Sequence, residues 1–467
     1  MSRKTVVTRD IPADLETPVS AFLKLRAFGA RFLLESVENA EKLGRFSFIG
    51  VGTSARVTVG ARELTVEGAG SKRSIAYGAG GPLGALRDLL RAQELPADSG
   101  APSLLGGLVG YLSYDFVRHF EKLPATLPDR LGLPDGVFLL ADALVMFDHI
   151  RRRMTLVALA EDRAAGEKRL DAVSERLRAA LPALPRSEIT LKPLEGDTTR
   201  EKYQLSVEAA QEHIRAGNAY QVVLSQRWSG AIDVAPFQVY RALRIQNPSP
   251  YMFYFDFDDF QLVGSSPEVL VKLDGRTAIV RPIAGTRPRG ASEAEDAKLE
   301  QELLGDEKER SEHVMLVDLA RNDLGRVCEY GSVKPTDLFA VERYSHVMHL
   351  VSEVRGTLRK DQDQFDLFRA AFPAGTVTGA PKIRSMQIIE SLETSRRGPY
   401  AGAVGYFGAN GQMDTCIAIR TIVVNKGVAH LQAGAGVTLG STPAGEYQEC
   451  MNKVAALRKA VETATEL

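Results

Sequence analysis

Strands and helices that follow one another without a regular strand–helix–strand beat place this chain in the α+β class. Three observations carry that expectation. Short apolar or alternating runs bounded by turn residues recur in pairs. Capped helical stretches fall between the pairs rather than after every strand. The 467 residues, 44% apolar and 25% charged, are those of an ordinary globular chain with room for two or three domains.

In chain order, residues 17–25 read as a helix with Thr17 as cap and Pro18 in the first turn. Residues 31–36 and 45–50 read as strands, 56–59 and 63–66 as a hairpin, and 82–92 as a helix opened by Pro82. In 106–114 the glycines of a predicted strand allow close backbone approach. Residues 137–147 and 154–159 are expected as strands and 164–181 as a helix. Pro182 and Pro185 stop that helix, and the polar stretch up to Thr199 marks a boundary. It divides the chain into regions 1–190 and 191–467.

Beyond it, Thr198-Thr-Arg-Glu201 reads as a capping box for a helix over 199–216, stopped by Gly217. Strands are expected at 220–228, 251–257, 261–264 and 278–283, the last running into a glycine-rich turn, Gly285 to Gly290. Helices follow at 292–304 and 306–324, the second from its length without Pro or Gly. Residues 366–372 and 382–392 read as helices joined by a loop, and 401–407, 413–424 and 429–435 as strands. Thr442 and Pro443 open a final helix.

A net charge of -1 offers no general pull toward nucleic acid or an anionic membrane. Cys328, Cys416 and Cys450 fit neither a zinc spacing nor a disulfide framework, which suits a reducing cytoplasm. No signal-peptide core follows Met1, and no apolar run reaches membrane-spanning length. A cytoplasmic protein with neither nucleic-acid nor membrane partners is expected.

The residues with chemistry to offer come in sets. Glu309 and Glu312 are three apart and share a helix face; Glu446 and Glu449 repeat the spacing on the final helix. Two such helices can build an oxygen-rich site for Mg²⁺, and a solvated acidic face is the alternative for either pair. Gly285-Thr286 and Gly434-Ala435-Gly436 read as strand ends whose loop N–H groups suit carboxylate or phosphate oxygens. Gly375, Thr376, Thr378, Gly379 and Lys382 make either an anion-binding loop or an ordinary connection. Arg420 interrupts the apolar run Cys416 to Val424, so it must be paired or face an anion. His349 and His346, an odd step apart, would face opposite sides of a strand, so one can face a site. A structural histidine is the alternative.

Seven motifs then fall in a familiar order. They are Leu33-Leu-Glu-Ser36, Arg45-Phe-Ser-Phe-Ile-Gly50, Asn247-Pro-Ser-Pro-Tyr-Met252, Pro282-Ile-Ala-Gly-Thr-Arg-Pro288, Glu312-His-Val-Met-Leu-Val-Asp-Leu-Ala-Arg-Asn-Asp323, Pro373-Ala-Gly-Thr-Val-Thr-Gly-Ala-Pro-Lys382 and Glu446-Tyr-Gln-Glu-Cys-Met-Asn-Lys453. Together they resemble the chorismate-utilising enzymes, most closely the large components of anthranilate synthases, over nearly the whole chain.

The resemblance implies a four-layer α/β/β/α architecture with two packed, mostly antiparallel sheets. It implies Mg²⁺-dependent conversion of chorismate and ammonia to anthranilate and pyruvate, on the route to tryptophan. By the same resemblance, Glu312 and Glu449 hold the metal, supported by Glu309 and Glu446. Gly285, Thr286, Tyr400, Arg420, Gly434, Ala435, Gly436 and Lys453 contact substrate, and His349 and Thr376 take catalytic positions. Glu35, Ser36, Asn247, Pro250, Tyr251 and Met252 match a site for feedback inhibition by L-tryptophan, with sensing elements in region 1–190 and chorismate binding in 191–467.

Two substitutions narrow the chemistry. Gln221 stands where relatives that add water carry a lysine base, and Ala284 where aminodeoxychorismate synthases carry a nucleophilic lysine. Neither can take that part, which leaves direct amination at C2. No glutaminase segment is visible, so a glutamine amidotransferase subunit is expected to deliver ammonia in a heterotetramer. The alternatives are a 2-amino-2-deoxyisochorismate synthase and a catalytically inactive regulatory homologue.

Overall fold

The computed structural model describes residues 4–36, 44–68, 70–93, 102–184, 193–344, 347–464 and 466–467. His346 and the division between residues 190 and 191 lie outside them.

Among the described residues, strand pairing builds two sheets of 12 strands each, and neighbouring strands run antiparallel. Both sheets draw on both regions. In the first, Ala30–Glu35 pairs with Tyr251–Asp256, Met252 opposite Glu35. In the second, Leu108–Leu112 pairs with Ala403–Phe407, Gly110 opposite Gly405. Residues on either side of the predicted boundary are thus bonded into common ladders.

Three apolar clusters define four layers. One joins the first sheet to helices such as Pro18–Arg26, Arg200–Arg215 and Pro443–Thr463. Another joins the second sheet to Gly81–Arg91, Glu307–Gly325 and Gln364–Ala371. The third, containing Phe32, Phe253, Phe255, Phe257 and Phe260, lies where the sheets face each other. Each buried phenylalanine contributes roughly 1.5–3 kcal/mol, so this inner layer is a core rather than a loose domain contact. The α/β/β/α stack and the α+β class are as expected.

Local signals placed most helices well. Thr17 caps its helix in a capping box with Ser20, and Asp306 and Thr442 cap the two glutamate helices. At the fourth helix the cap is Thr199, which accepts from Lys202 N, rather than the expected Thr198 box.

Two predicted strands are each two strands. Residues 137–147 divide into Gly136–Ala141 and Ala143–Asp148, and 413–424 into Met413–Ile417 and Thr421–Asn425. In both cases the first half belongs to the second sheet and the other half to the first. The chain crosses between sheets while staying buried, so its apolar run continues through the break. Each crossing has an antiparallel neighbour. Phe46–Val51 leads into Thr53–Val59 beside the first, and Phe260–Ser266 leads into Val269–Asp274 beside the second.

The glycine motifs also differ from expectation. Gly285 and Thr286 lie within the strand Ile283–Pro288 rather than in a turn, and Gly434 to Gly436 lie within Val428–Val437 rather than at its end. The helix Pro236–Gln246 and the strands Val269–Asp274, Lys334–Arg343 and Val347–Thr357 had no counterpart among the predicted elements.

Candidate active site

The second pair of crossings sets the centre of the site. Ser265 N donates to Arg420 O at 3.1 Å, and Ile417 N donates to Glu268 O at 3.0 Å. Arg420 has φ of 51°, a left-handed conformation uncommon for a residue with a side chain. Among the described residues no carboxylate comes within 4 Å of its guanidinium. Burial lowers its pKa, while Tyr400 and Glu449 act in the opposite sense. A half-buried cation in that position is disposed to receive an anion.

Glu268 occupies the neighbouring crossing and is buried. Burial pushes its carboxyl up to about 8, outweighing the hydrogen bond from Thr376 Oγ1 at 2.7 Å, which favours the charged form. At neutral pH it holds its proton. Thr376 itself lies in the one-turn helix Gly375–Thr378, within the stretch expected as loop. Lys382, weighed above as an anion binder, is instead engaged by Asp323 at 2.7 Å and Ala371 O at 2.8 Å.

Sequence reasoning missed Glu268. The signal was a carboxyl two residues beyond an apolar strand end, in Ser265-Ser-Pro-Glu268, with another apolar run at once after it.

Gly285 sits at a bulge where the pairing with Val347–Thr357 shifts register, with φ of 64°. The left-handed φ favours glycine, and a Cβ there would also press within 2.9 Å of Leu303 Cδ1 and 3.3 Å of Glu309 Oε2. His349 Nδ1 lies 3.0 Å from Gly285 O, and 3.1 Å from Thr286 Oγ1. A carbonyl only accepts, so Nδ1 carries the hydrogen and Nε2 is left with its lone pair. Burial lowers the His349 pKa; the Gly285 carbonyl opposes this and Arg420 adds to it. The imidazole is therefore neutral at neutral pH.

Gly434, Ala435 and Gly436 pair with Ser225, Leu224 and Val223. A Cβ at Gly434 would lie 3.0 Å from the Tyr400 hydroxyl, and one at Gly436 2.5 Å from Gln221 Nε2. Their bare backbone gives both side chains their room. Gln221 Nε2 in turn donates to Glu312 Oε1 at 3.0 Å. Lys453 Nζ donates to Gly434 O at 2.8 Å and Glu449 Oε1 at 2.6 Å, tying the final helix to the glycine strand.

Among the described residues no group of three or more His, Cys, Asp or Glu side chains is gathered closely enough to hold a metal alone. Mg²⁺ does not demand one, since it takes one or two carboxylates and completes its shell with water and substrate oxygens. The donors fit such an ion. Glu446 is buried, and its Oε2 has no hydrogen-bond partner among the described residues. Burial raises the pKa of Glu309, and so does Glu312; burial raises that of Glu446, and so does Glu449. Lys308 acts electrostatically on Glu446, which brings the starts of the two glutamate helices within range of each other.

A cavity of about 700 Å³ lies elsewhere, between the sheets, walled in part by Glu35, Ser36, Pro250, Tyr251 and Met252. Five of the six residues expected to bind an effector thus line one cavity. Asn247 is not part of it: its Nδ2 donates to Ser265 Oγ at 3.1 Å, and its carbonyl accepts from the same hydroxyl. The Glu35 carboxylate is already bound by Arg244 at 2.7 and 3.1 Å and by the Tyr240 hydroxyl.

Known proteins resemble this chain over most of its length. The sequence profile of the chorismate binding enzymes matches residues 29–459. Anthranilate synthase component 1 of Thermus thermophilus is 48% identical over 97% of this chain and 96% of its own length. That of Pseudomonas aeruginosa is 46% identical over 97% and 94%. The crystal structure of anthranilate synthase component I from Streptococcus pneumoniae superposes with a TM-score of 0.78 at 38% identity, covering 89% of this chain and 92% of that one. The menaquinone-specific isochorismate synthase MenF of Escherichia coli, 21% identical over 98% and 95%, shares the fold with a TM-score of 0.74. This chain belongs to the chorismate binding enzyme family.

Proposed function

We propose that this chain is the large subunit of an anthranilate synthase, converting chorismate and ammonia to anthranilate and pyruvate. The observation that carries the reading is Arg420, without a carboxylate partner among the described residues, at the head of the strand Thr421–Asn425 that pairs with the glycine strand Val428–Val437, together with a carboxylate pair on each glutamate helix. Chorismate is a dianion, and such a site offers its carboxylates a guanidinium, backbone N–H groups and a metal. Relatives named as component 1 over almost their full length support it.

Glu312 and Glu449 would hold Mg²⁺, with Glu309 and Glu446 behind them. When bound, the ion would supply a positive charge that draws electron density from the substrate's ring carboxylate. In the reaction ammonia adds at C2 as the C4 hydroxyl departs as water. Loss of the C2 proton, with the enolpyruvyl group leaving as pyruvate, makes the ring aromatic.

The protein supplies two proton-transfer groups of opposite character. On this reading Glu268, protonated at neutral pH, gives its proton to the departing hydroxyl. His349, neutral and with no partner for Nε2 among the described residues, accepts a proton or orients that hydroxyl. Thr376 orients Glu268. Gln221, whose Nε2 donates to Glu312, is an amide too weakly basic to activate water, and Ala284 offers no nucleophile.

L-tryptophan is the proposed occupant of the 700 Å³ cavity, where it inhibits by favouring a state that binds chorismate less well. Ammonia comes from a glutamine amidotransferase subunit, in a heterotetramer. No helix among the described residues is long and apolar enough to cross a membrane; we place the enzyme in the cytoplasm. The division into a sensing region, 1–190, and a chorismate-binding region, 191–467, is one of function, since the sheets run through both.

The purified chain, given chorismate, ammonium and Mg²⁺, should form anthranilate and pyruvate in equal amounts. A non-aromatic aminated product without pyruvate would shift the reading to 2-amino-2-deoxyisochorismate synthase. No turnover at high ammonium would favour an inactive regulatory homologue.

A further inference from the structure

Arg397 is among the largest fully buried side chains, 1% exposed, yet it has no place in the chemistry above. Its donors reach three separate segments. Nη1 donates to Val377 O at 2.7 Å, one residue after Thr376. Nη2 donates to Val223 O at 2.8 Å, two residues after Gln221. Nε and Nη2 hold Glu393 at 3.0 and 2.6 Å. Glu393 in turn accepts from Ser225 N and Oγ, both at 2.8 Å, and Ser225 lies opposite Gly434. The guanidinium carbon stands 4.6 Å from the centre of the Tyr114 ring and 5.8 Å from that of Tyr400.

We propose that Arg397 is a positioning residue for the reaction. Its one rigid fork sets the Tyr400 ring, the Thr376 turn and the glycine strand in register with one another. The proposal rests on the reading of Tyr400 and Thr376 as substrate-facing groups. Stability alone does not account for such an arrangement. A buried ion pair is often replaceable by apolar residues of similar volume without loss, because desolvation consumes most of what the charges gain. What apolar residues cannot supply is a planar set of donors aimed at carbonyls on different elements. Lysine would keep the charge but not the fork or the stacking on Tyr400.

The test is a double-mutant cycle of Arg397→Lys with Tyr400→Phe, reading kcat and KM for chorismate with ammonium as nitrogen donor, and the melting temperature. Misplacing two reacting-site groups should cost Arg397→Lys about 100-fold in kcat/KM, carried mainly by kcat. The double variant should be no worse than Arg397→Lys, because Tyr400 is already out of place. Losses that multiply, or near wild-type kcat in Arg397→Lys, would overturn the proposal. If Tyr400→Phe alone leaves kcat/KM unchanged, the reading of Tyr400 fails and takes the proposal with it. Should Arg397→Lys not fold, Tyr114→Leu, which removes the nearer of the two rings beside the guanidinium, replaces it in the same cycle with the same two outcomes.

Discussion

Glu268 shows how far a side chain's surroundings can change its chemistry. Its carboxyl is raised from an ordinary 4.5 to about 8 because the sheet crossing buries it. A proton donor of this kind works below about 8 and fails above it. The kcat of the wild type should therefore fall as pH rises through about 8, and Glu268→Gln should be slow at every pH without that fall, as a pH–rate profile would show. Stability moves in the same sense. Between 4.5 and about 8 the folded chain holds a proton that the unfolded chain releases, so this group's contribution declines as pH rises through that window. Glu268→Gln should thus gain in melting temperature on the wild type as pH is raised toward 8. Arg420 was legible in the sequence because a charge inside an apolar run needs a reason. Glu268 was not, because a carboxyl after Ser-Ser-Pro reads as a solvated turn until the fold encloses it.

At the scale of elements, what depends on neighbours in sequence was readable and what depends on distant partners was not. The glutamate helices came from caps and an i, i+3 spacing, both local. Splitting 413–424 between two sheets depends on which strands lie beside each half, and no residue in the run announces it. Lys334–Arg343, mostly exposed and rich in charge, lacks the apolar pattern of a strand and exists by pairing with Val347–Thr357. The same long-range logic ties the cavity to the site. Asn247, at the head of the turn leading to Tyr251 and Met252, is bonded to Ser265, and Ser265 N to Arg420 O. Asn247→Ala should leave tryptophan binding within a few-fold while weakening its inhibition, because it severs the link rather than the cavity. Comparing tryptophan affinity by calorimetry with its inhibition constant checks this. Equal changes in both would mean that Asn247 acts only on binding.

For the molecule as a whole, the pairing of Ala30–Glu35 with Tyr251–Asp256 and of Leu108–Leu112 with Ala403–Phe407 makes one folding unit of regions 1–190 and 191–467. Residues 191–467 made alone would expose the strand edges Tyr251–Asp256 and Ala403–Phe407 and the phenylalanines Phe253, Phe255, Phe257 and Phe260 between the sheets. That fragment should aggregate or lack a cooperative thermal transition; a monomeric fragment with a sharp transition would show that the regions fold independently. The four layers were expected only from the family resemblance, since periodicity gives elements but not their stacking. The central claim is that a metal between the glutamate helices and an anion at Arg420 form one site at the second crossing. Anomalous diffraction from crystals grown with Mn²⁺ in place of Mg²⁺, and with anthranilate and pyruvate, tests it most directly. The account predicts the ion on Glu312 and Glu449, with a product carboxylate at Arg420. An ion bound away from both helices, or product carboxylates that ignore Arg420, would contradict it.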